Sequence, residues 1–244
     1  MKKNEFKIDT EEMMRLGVHF GHKTSKINPK MKQFIIGVRN GVHIIDLQKT
    51  KDKLEEALNF IQKIILEQKI IVLVGTKISL KDLIKNIALE CNLPYITERW
   101  LGGTFTNFEI IFKRIQYLRD LEKKEKEGFF EKYSKREKQR FLEELEKIRK
   151  KIGGIKNLEK LPDAVFVCDM KKDINAVKEA RKKGIKIVAI ADTNVDPTLA
   201  DIVIPASDDG RSAMEYILEK VKEVVLKAES KTQNSNIKSN PKSE

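Results

Sequence analysis

The 244-residue chain carries 49 lysines and arginines against 37 aspartates and glutamates, a formal charge of +12 and a pI near 9.5. A balance this basic makes a polyanion the first partner to consider, while the 40% hydrophobic fraction is enough for one core with room for an insertion. Apolar runs stay shorter than the ~18 residues of a membrane span, the opening MKKNEFKIDTEEMM has no apolar stretch of signal-peptide type, and Cys91 and Cys168 match no metal or redox spacing, as expected of a cytosolic chain with reduced thiols.

The charge is unevenly placed. Residues 1–50 hold 10 basic against 5 acidic side chains and residues 105–155 hold 15 against 10, whereas residues 156–228 are balanced at 13 each. Taken in order, Thr10 with Glu11 and Glu12 starts a short helix that Gly17 ends. A segment from Met13 to Ile45 follows with no acidic side chain between Glu12 and Asp46. It contains Lys23, Lys26, Lys30, Lys32 and Arg39, together with the protein's three histidines, His19, His22 and His43. Lysine and arginine replace the counterions of a phosphate backbone, and a surface that is merely soluble normally mixes charge signs. Within this segment QFIIGV and VHIIDL are two short strands joined at Asn40-Gly41, the strongest short hairpin signal. His43 reads as a packed core residue. His19 and His22 flank Phe20-Gly21 and are candidates to donate to phosphate or to order the loop.

A helix opened by Thr50 has apolar residues at Leu54, Ala57, Leu58, Ile61, Ile64 and Ile65, at helical period. IIVLVG (70–75) is a buried strand leading to a helix with capping-box spacing at Ser79 and Asp82, and YIT (95–97) is the next strand. Two further boxes, Thr106/Glu109 and Ser134/Glu137, open long amphipathic helices on either side of Gly128, which predicts an antiparallel helical hairpin. The strand pattern resumes at AVFVCDM (164–170), IKIVAIAD (185–192) and DIVIP (201–205), and a last helix runs from about Asp209 to Ala228. Alternating strands and helices with solidly apolar strands predict a doubly wound, mostly parallel α/β sheet of flavodoxin or Rossmann type. The expected organisation is a core formed by 1–104 and 155–228, a coiled-coil insertion at 105–154, and a disordered tail at 229–244.

Such a core often binds nucleotides, so a nucleotide- or sugar-phosphate-binding enzyme is the competing reading. Gly75-Thr76-Lys77 follows the first long strand, yet neither a dinucleotide fingerprint nor a P-loop occurs, and no nucleophile elbow is present. Aspartates gather at strand ends. His22, Asp192 and Asp208 have the donor types of a divalent-ion site, and the same aspartates also suit helix caps and turns.

Four stretches together resemble the bacterial small-subunit ribosomal protein two family: GVHFGHKTSKINPKMKQFIIGVRNGVHIIDLQKT (17–50), RWLGGTFTNF (99–108), LPDAVFVCDM (161–170) and VAIADTNVDPTLADIVIPASDDGRSA (188–213). The resemblance implies a flavodoxin-like core with a coiled-coil hairpin and no catalytic activity or cofactor. It also implies binding to small-subunit ribosomal RNA, contact with neighbouring ribosomal proteins, recruitment of ribosomal protein one, and a cytoplasmic, ribosome-bound location without membrane attachment or homo-oligomer. On that reading Lys23, Lys26, Lys30, Lys32 and Arg39 contact phosphates, and Asn28 and Asn40 donate to sugar or base edges. Arg99 and Trp100 are candidates for stacking on an unpaired base, with core packing as the alternative for Trp100. Lys113, Arg114, Arg136, Lys138 and Arg140 lie on the outside of the hairpin, facing RNA or solvent.

Overall fold

The computed structural model describes residues 6–238. It begins with α1 (Thr10–Arg15), capped by Asp9 rather than the expected Thr10, since the Asp9 carboxylate accepts from the Glu11 N–H. Three short strands follow, β1 (Phe20–Lys23), β2 (Ile35–Arg39) and β3 (Val42–Ile45), forming an antiparallel ribbon in the order β1-β3-β2. Asn40 and Gly41 have φ of 50° and 74°. Two consecutive left-handed residues are what a type I′ hairpin turn requires, and glycine adopts that geometry without Cβ strain. β1 is absent from the expected strands because FGHK has little apolar character of its own. Its pairing with β3 supplies the structure.

Next comes α2 (Leu47–Leu66), started by Asp46, whose carboxylate accepts from the Gln48 and Lys49 N–H groups. Thr50 does not open this helix. It is buried in the first turn and donates its hydroxyl to Pro205 O at 2.6 Å. The remaining elements are β4 (Ile71–Val74), α3 (Lys81–Glu90), β5 (Tyr95–Ile96), α4 (Phe108–Lys126), α5 (Lys135–Ile152), β6 (Ala164–Val167), α6 (Ile174–Lys183), β7 (Lys186–Ala191), β8 (Ile202–Pro205) and α7 (Arg211–Lys238).

The central sheet runs β5-β4-β6-β7-β8 with every pair parallel. This is the flavodoxin order, in which the chain winds to one side and then, from the strand after the switch point, to the other. Alternate residues feed opposite layers. Ile71, Leu73, Phe166, Val188 and Ile190 join a core with α2, α3 and α7, while Val72, Val74, Val165, Val167 and Ala189 join a second core with α6 and the α4–α5 pair. The fold is therefore a doubly wound α/β sheet with an inserted helical pair, as the alternation implied.

Of the three expected capping boxes only Ser134/Glu137 forms, with the Ser134 hydroxyl accepting from the Glu137 N–H and the Glu137 carboxylate accepting from the Ser134 N–H. Ser79 lies inside a 3-10 turn over Ile78–Leu80 that precedes α3, and Thr106 is drawn away by a long-range partner. The last helix, α7, is longer than the expected end at Ala228 and continues over 229–238. Extending a nucleated helix costs little, and the Ser230 and Thr232 hydroxyls donate back to Lys227 O and Ala228 O. Residues 239–244 lie outside the described residues.

The far end of α5 returns to the sheet at Gly154, where a Cβ would stand 2.3 Å from Tyr95 O, a backbone atom of edge strand β5. We expect Gly154→Ala to destabilise the fold by about 1–3 kcal/mol through overpacking. Urea unfolding checks this, and an unchanged midpoint would mean that the hairpin base yields freely.

Candidate nucleic-acid interface

The acid-free segment is attached to the sheet through the loops after β7 and β8. The Asn28 N–H donates to Thr193 O at 2.8 Å, the His22 N–H to Thr193 Oγ1 at 3.0 Å, and the Ser207 N–H to Val18 O at 3.0 Å. Side chains reinforce these links. His22 Nδ1 lies 3.0 Å from Asp192 Oδ2, and Lys30 Nζ reaches Asp196 Oδ2 at 2.7 Å and Thr198 Oγ1 at 3.0 Å. Lys30 pulls the Asp196 carboxyl down to about 2, with Thr198 assisting. Met31 and Phe34 are buried in the second core, so the segment is seated on both sides.

This seating sorts the expected phosphate ligands. Lys23, Lys26, Lys30, Lys32 and Arg39 are all exposed, and Lys30 alone among them is bridged to a carboxylate of the loop after β7, that of Asp196. The Asn28 side-chain oxygen caps the 3-10 turn Pro29–Phe34 by accepting from the Lys30 N–H. Asn40 is exposed at the hairpin turn. His43 is buried, as expected, and neither ring nitrogen has a hydrogen-bond partner. Burial lowers the pKa of His19, and the Arg39 charge lowers it further.

The RWLGGTFTNF stretch wraps a single carboxylate. Glu179 on α6 accepts from the Trp100 indole N–H (3.0 Å), the backbone N–H groups of Gly103 (2.9 Å), Phe105 (2.9 Å) and Thr106 (3.1 Å), and the Thr106 hydroxyl (3.1 Å). Trp100 is 8% exposed and meets Phe105 edge-on at 4.9 Å. Of the two readings for Trp100, this arrangement matches core packing, with the indole N–H engaged by Glu179 and the ring against Phe105. Arg99 beside it is exposed. Burial pushes the Glu179 carboxyl up, but the Trp100 and backbone donors outweigh it and hold the pKa below the usual value.

At the carboxyl ends of the strands the acids close around a lysine. Lys77 Nζ lies 2.6 Å from Asp209 Oδ1, 2.8 Å from Asp208 O and 3.9 Å from Asp169 Oδ2. His22, Asp208 and Asp209 carry ligand atoms within 4.8 Å of one another, whereas the expected divalent-ion set was His22, Asp192 and Asp208. Asp192 instead faces His22, and the Lys77 ammonium already supplies the positive charge that a cation would bring. Burial, with Asp169 and Asp192 nearby, pushes the Asp208 carboxyl up to about 7.

The model of the family described as Ribosomal protein S2 matches residues 13–228. The chain belongs to the ribosomal protein S2 family. Members are structural proteins of the small ribosomal subunit and act in translation; the family is not one of enzymes. Its span of the chain takes in the basic segment, the Glu179 clamp and the helical pair together. No described helix is long and apolar enough to cross a membrane.

In this S2 chain, α4 and α5 run antiparallel: Phe130, after the end of α4, stacks on Phe141 near the start of α5, Glu125 meets Arg149, and Arg119 donates to Lys156 O beyond the end of α5. The acids of the pair are largely spent on such internal bridges, Lys138 to Glu131 among them, while Lys113, Arg114, Arg136 and Arg140 are exposed. Sequence reasoning missed Glu179, Thr193 and Lys77 as organising residues. Glu179 sits among the lysines and arginines of a surface-type helix, and no local pattern marks it as the partner of a loop more than 70 positions earlier.

Two expectations follow. Glu179→Ala should cost about 2–4 kcal/mol, because several donors lose a charged acceptor, and should red-shift the emission of Trp100, the single tryptophan. A depressed carboxyl pKa contributes stability above its unfolded value that is lost as pH falls through the folded one, so thermal melts should show the variant's deficit shrinking in acid. Asp208 has the opposite sign: its folded pKa of about 7 exceeds the usual 3.8, so its contribution declines as pH rises through that window. The melting temperature of Asp208→Asn relative to the parent should therefore rise between about pH 4 and 7; a flat difference would show that Lys77 fully compensates the charge.

Proposed function

We propose that this chain is a bacterial-type structural component of the small subunit that docks on its ribosomal RNA through the outer side of the 13–45 segment. The observation that carries this reading is the partition of charge across that segment. On one side His22 sits against Asp192 and Lys30 is bridged to Asp196, and on the other Lys23, Lys26, Lys32 and Arg39 are exposed with no acidic side chain among them in the sequence. An outward surface of one sign on a rigid backbone positions a protein on phosphates without reading sequence. Arg99 and the exposed hairpin cations Lys113 and Arg114 extend the contact. Neighbouring ribosomal proteins dock on the remaining surface, ribosomal protein one among those recruited, and the protein works in the cytoplasm as a single copy on the ribosome without cofactor or turnover. The strand-end crevice speaks against a nucleotide or sugar phosphate there, because Asp169, Asp208 and Asp209 would repel the phosphate and Lys77 is already neutralised by them.

The test is the combined variant Lys23→Ala/Lys26→Ala/Lys32→Ala, titrated with small-subunit ribosomal RNA over a range of salt. Its melt should match the parent, its affinity should fall, and the slope of log affinity against log salt should shrink by up to about one unit per contact removed. A slope equal to the parent's would place these lysines in solvent and overturn the docking surface.

A further inference from the structure

The antiparallel ribbon presents a surface for which the charged residues alone give no use. Across an antiparallel sheet, directly paired residues project to the same side, and every second residue along a strand joins them. Phe20 pairs with Ile44, which pairs with Gly37, and Lys23 pairs with Val42, which pairs with Arg39. These two rungs share one side, since Ile44 and Val42, and Gly37 and Arg39, are two apart. A register shift between Phe20 and Lys23 takes up the extra residue on β1. It has a phenylalanine at one corner, a glycine opposite, two half-buried aliphatic side chains along the middle, and a lysine and an arginine on the adjoining rung.

We propose that this side of the ribbon is a stacking platform for an unpaired RNA base, with Phe20 as the plane and Lys23 and Arg39 holding the flanking phosphates. The inference deepens the RNA-docking reading and rests on it. Phe20 is 49% exposed, an unusual position for an aromatic ring in the middle of a charged segment. The ring is nonetheless held in place: Gly17 lies against it, so that a Cβ there would be 3.2 Å from Phe20 Cδ2, and the His19 ring packs beside it at 4.0 Å. A plane already fixed in position loses little freedom when a base settles on it. Opposite, a Cβ built on Gly37 meets nothing within 4 Å, so the base has open space beyond Ile44. Aromatic side chains recognise RNA by stacking on splayed bases, whereas a duplex keeps its bases stacked on one another and out of reach. Charge decides the class of partner. With no acidic side chain between Glu12 and Asp46, and Lys23 and Arg39 one rung away, the face suits a polyanion carrying flat apolar groups better than a protein surface.

The experiment titrates the full chain into a fluorescein-labelled single-stranded RNA and into the duplex of the same sequence, using the parent, Phe20→Leu and Phe20→Trp. Leucine keeps apolar packing on Gly17 without a ring, and matching circular-dichroism melts establish that the fold is retained. The expected result is a loss of single-strand affinity of about 5- to 100-fold for Phe20→Leu, parental affinity for Phe20→Trp, and an unchanged salt slope for both. Ultraviolet cross-linking of the parent complex should then leave a nucleotide on the Phe20 peptide, a readout that needs no variant. Parental affinity of Phe20→Leu alongside weakened binding by the triple lysine variant would overturn the platform and leave RNA docking standing. Failure of the parent to bind RNA at all would overturn both. If Phe20→Leu left single-strand affinity intact yet released the chain from small subunits in a sucrose gradient, the ring would belong to a protein contact, and the proposal would again be overturned.

Discussion

Like charges gathered at the carboxyl ends of parallel strands must be neutralised, and much of this molecule is arranged around that requirement. Asp169, Asp192, Asp208 and Asp209 meet at the end of the sheet where a flavodoxin-type fold leaves its crevice. Mutual repulsion at such distances in a partly buried setting is costly unless cations are supplied. Lys77, from the loop after β4, supplies that charge, and His22 of the basic segment sets its ring against Asp192. The crevice that serves as a ligand site in other proteins of this architecture is here occupied by the protein's own side chains. The segment that helps occupy it is thereby fixed in place with Lys23, Lys26, Lys32 and Arg39 exposed.

A second carboxylate performs a comparable task on the opposite layer. Glu179 collects the N–H groups of a tight loop that would otherwise be left unpaired beside the second core, and from that loop α4 departs. Backbone donors in a buried turn need an acceptor, and one charged acceptor shared among several fixes their relative positions more firmly than separate neutral ones. The direction in which the helical pair leaves the sheet is thus tied to a side chain on α6. Gly154 closes the other end of the pair against β5.

The layers and their order were readable from the sequence because parallel strands buried on both faces are solidly apolar and each helix had a clear period. The Asn40-Gly41 turn, buried His43 and the Ser134/Glu137 box were readable for the same reason, their chemistry being local. What escaped was long-range. Thr106 has the spacing of a cap and instead serves Glu179, the pairing of Lys30 with Asp196 joins residues 166 positions apart, and nothing local marks Glu179 as the acceptor for the Trp100 indole. Phe20 shows the converse. A lone aromatic among lysines carries no periodic signal, and only the register of β1 on β3 shows which neighbours it shares a side with.

The bonds that seat the basic segment have a bearing on when its surface comes into being. His22 and Lys30 are held by Thr193 and Asp196, residues more than 160 positions later in the chain, and Val18 is held by Ser207. During synthesis the segment's lysines and arginines therefore emerge well before its anchors. A nascent chain that has reached only α5 bears the whole basic segment but none of these supports. Its charge is present early, while the shaped surface exists only once the loops after β7 and β8 have been made.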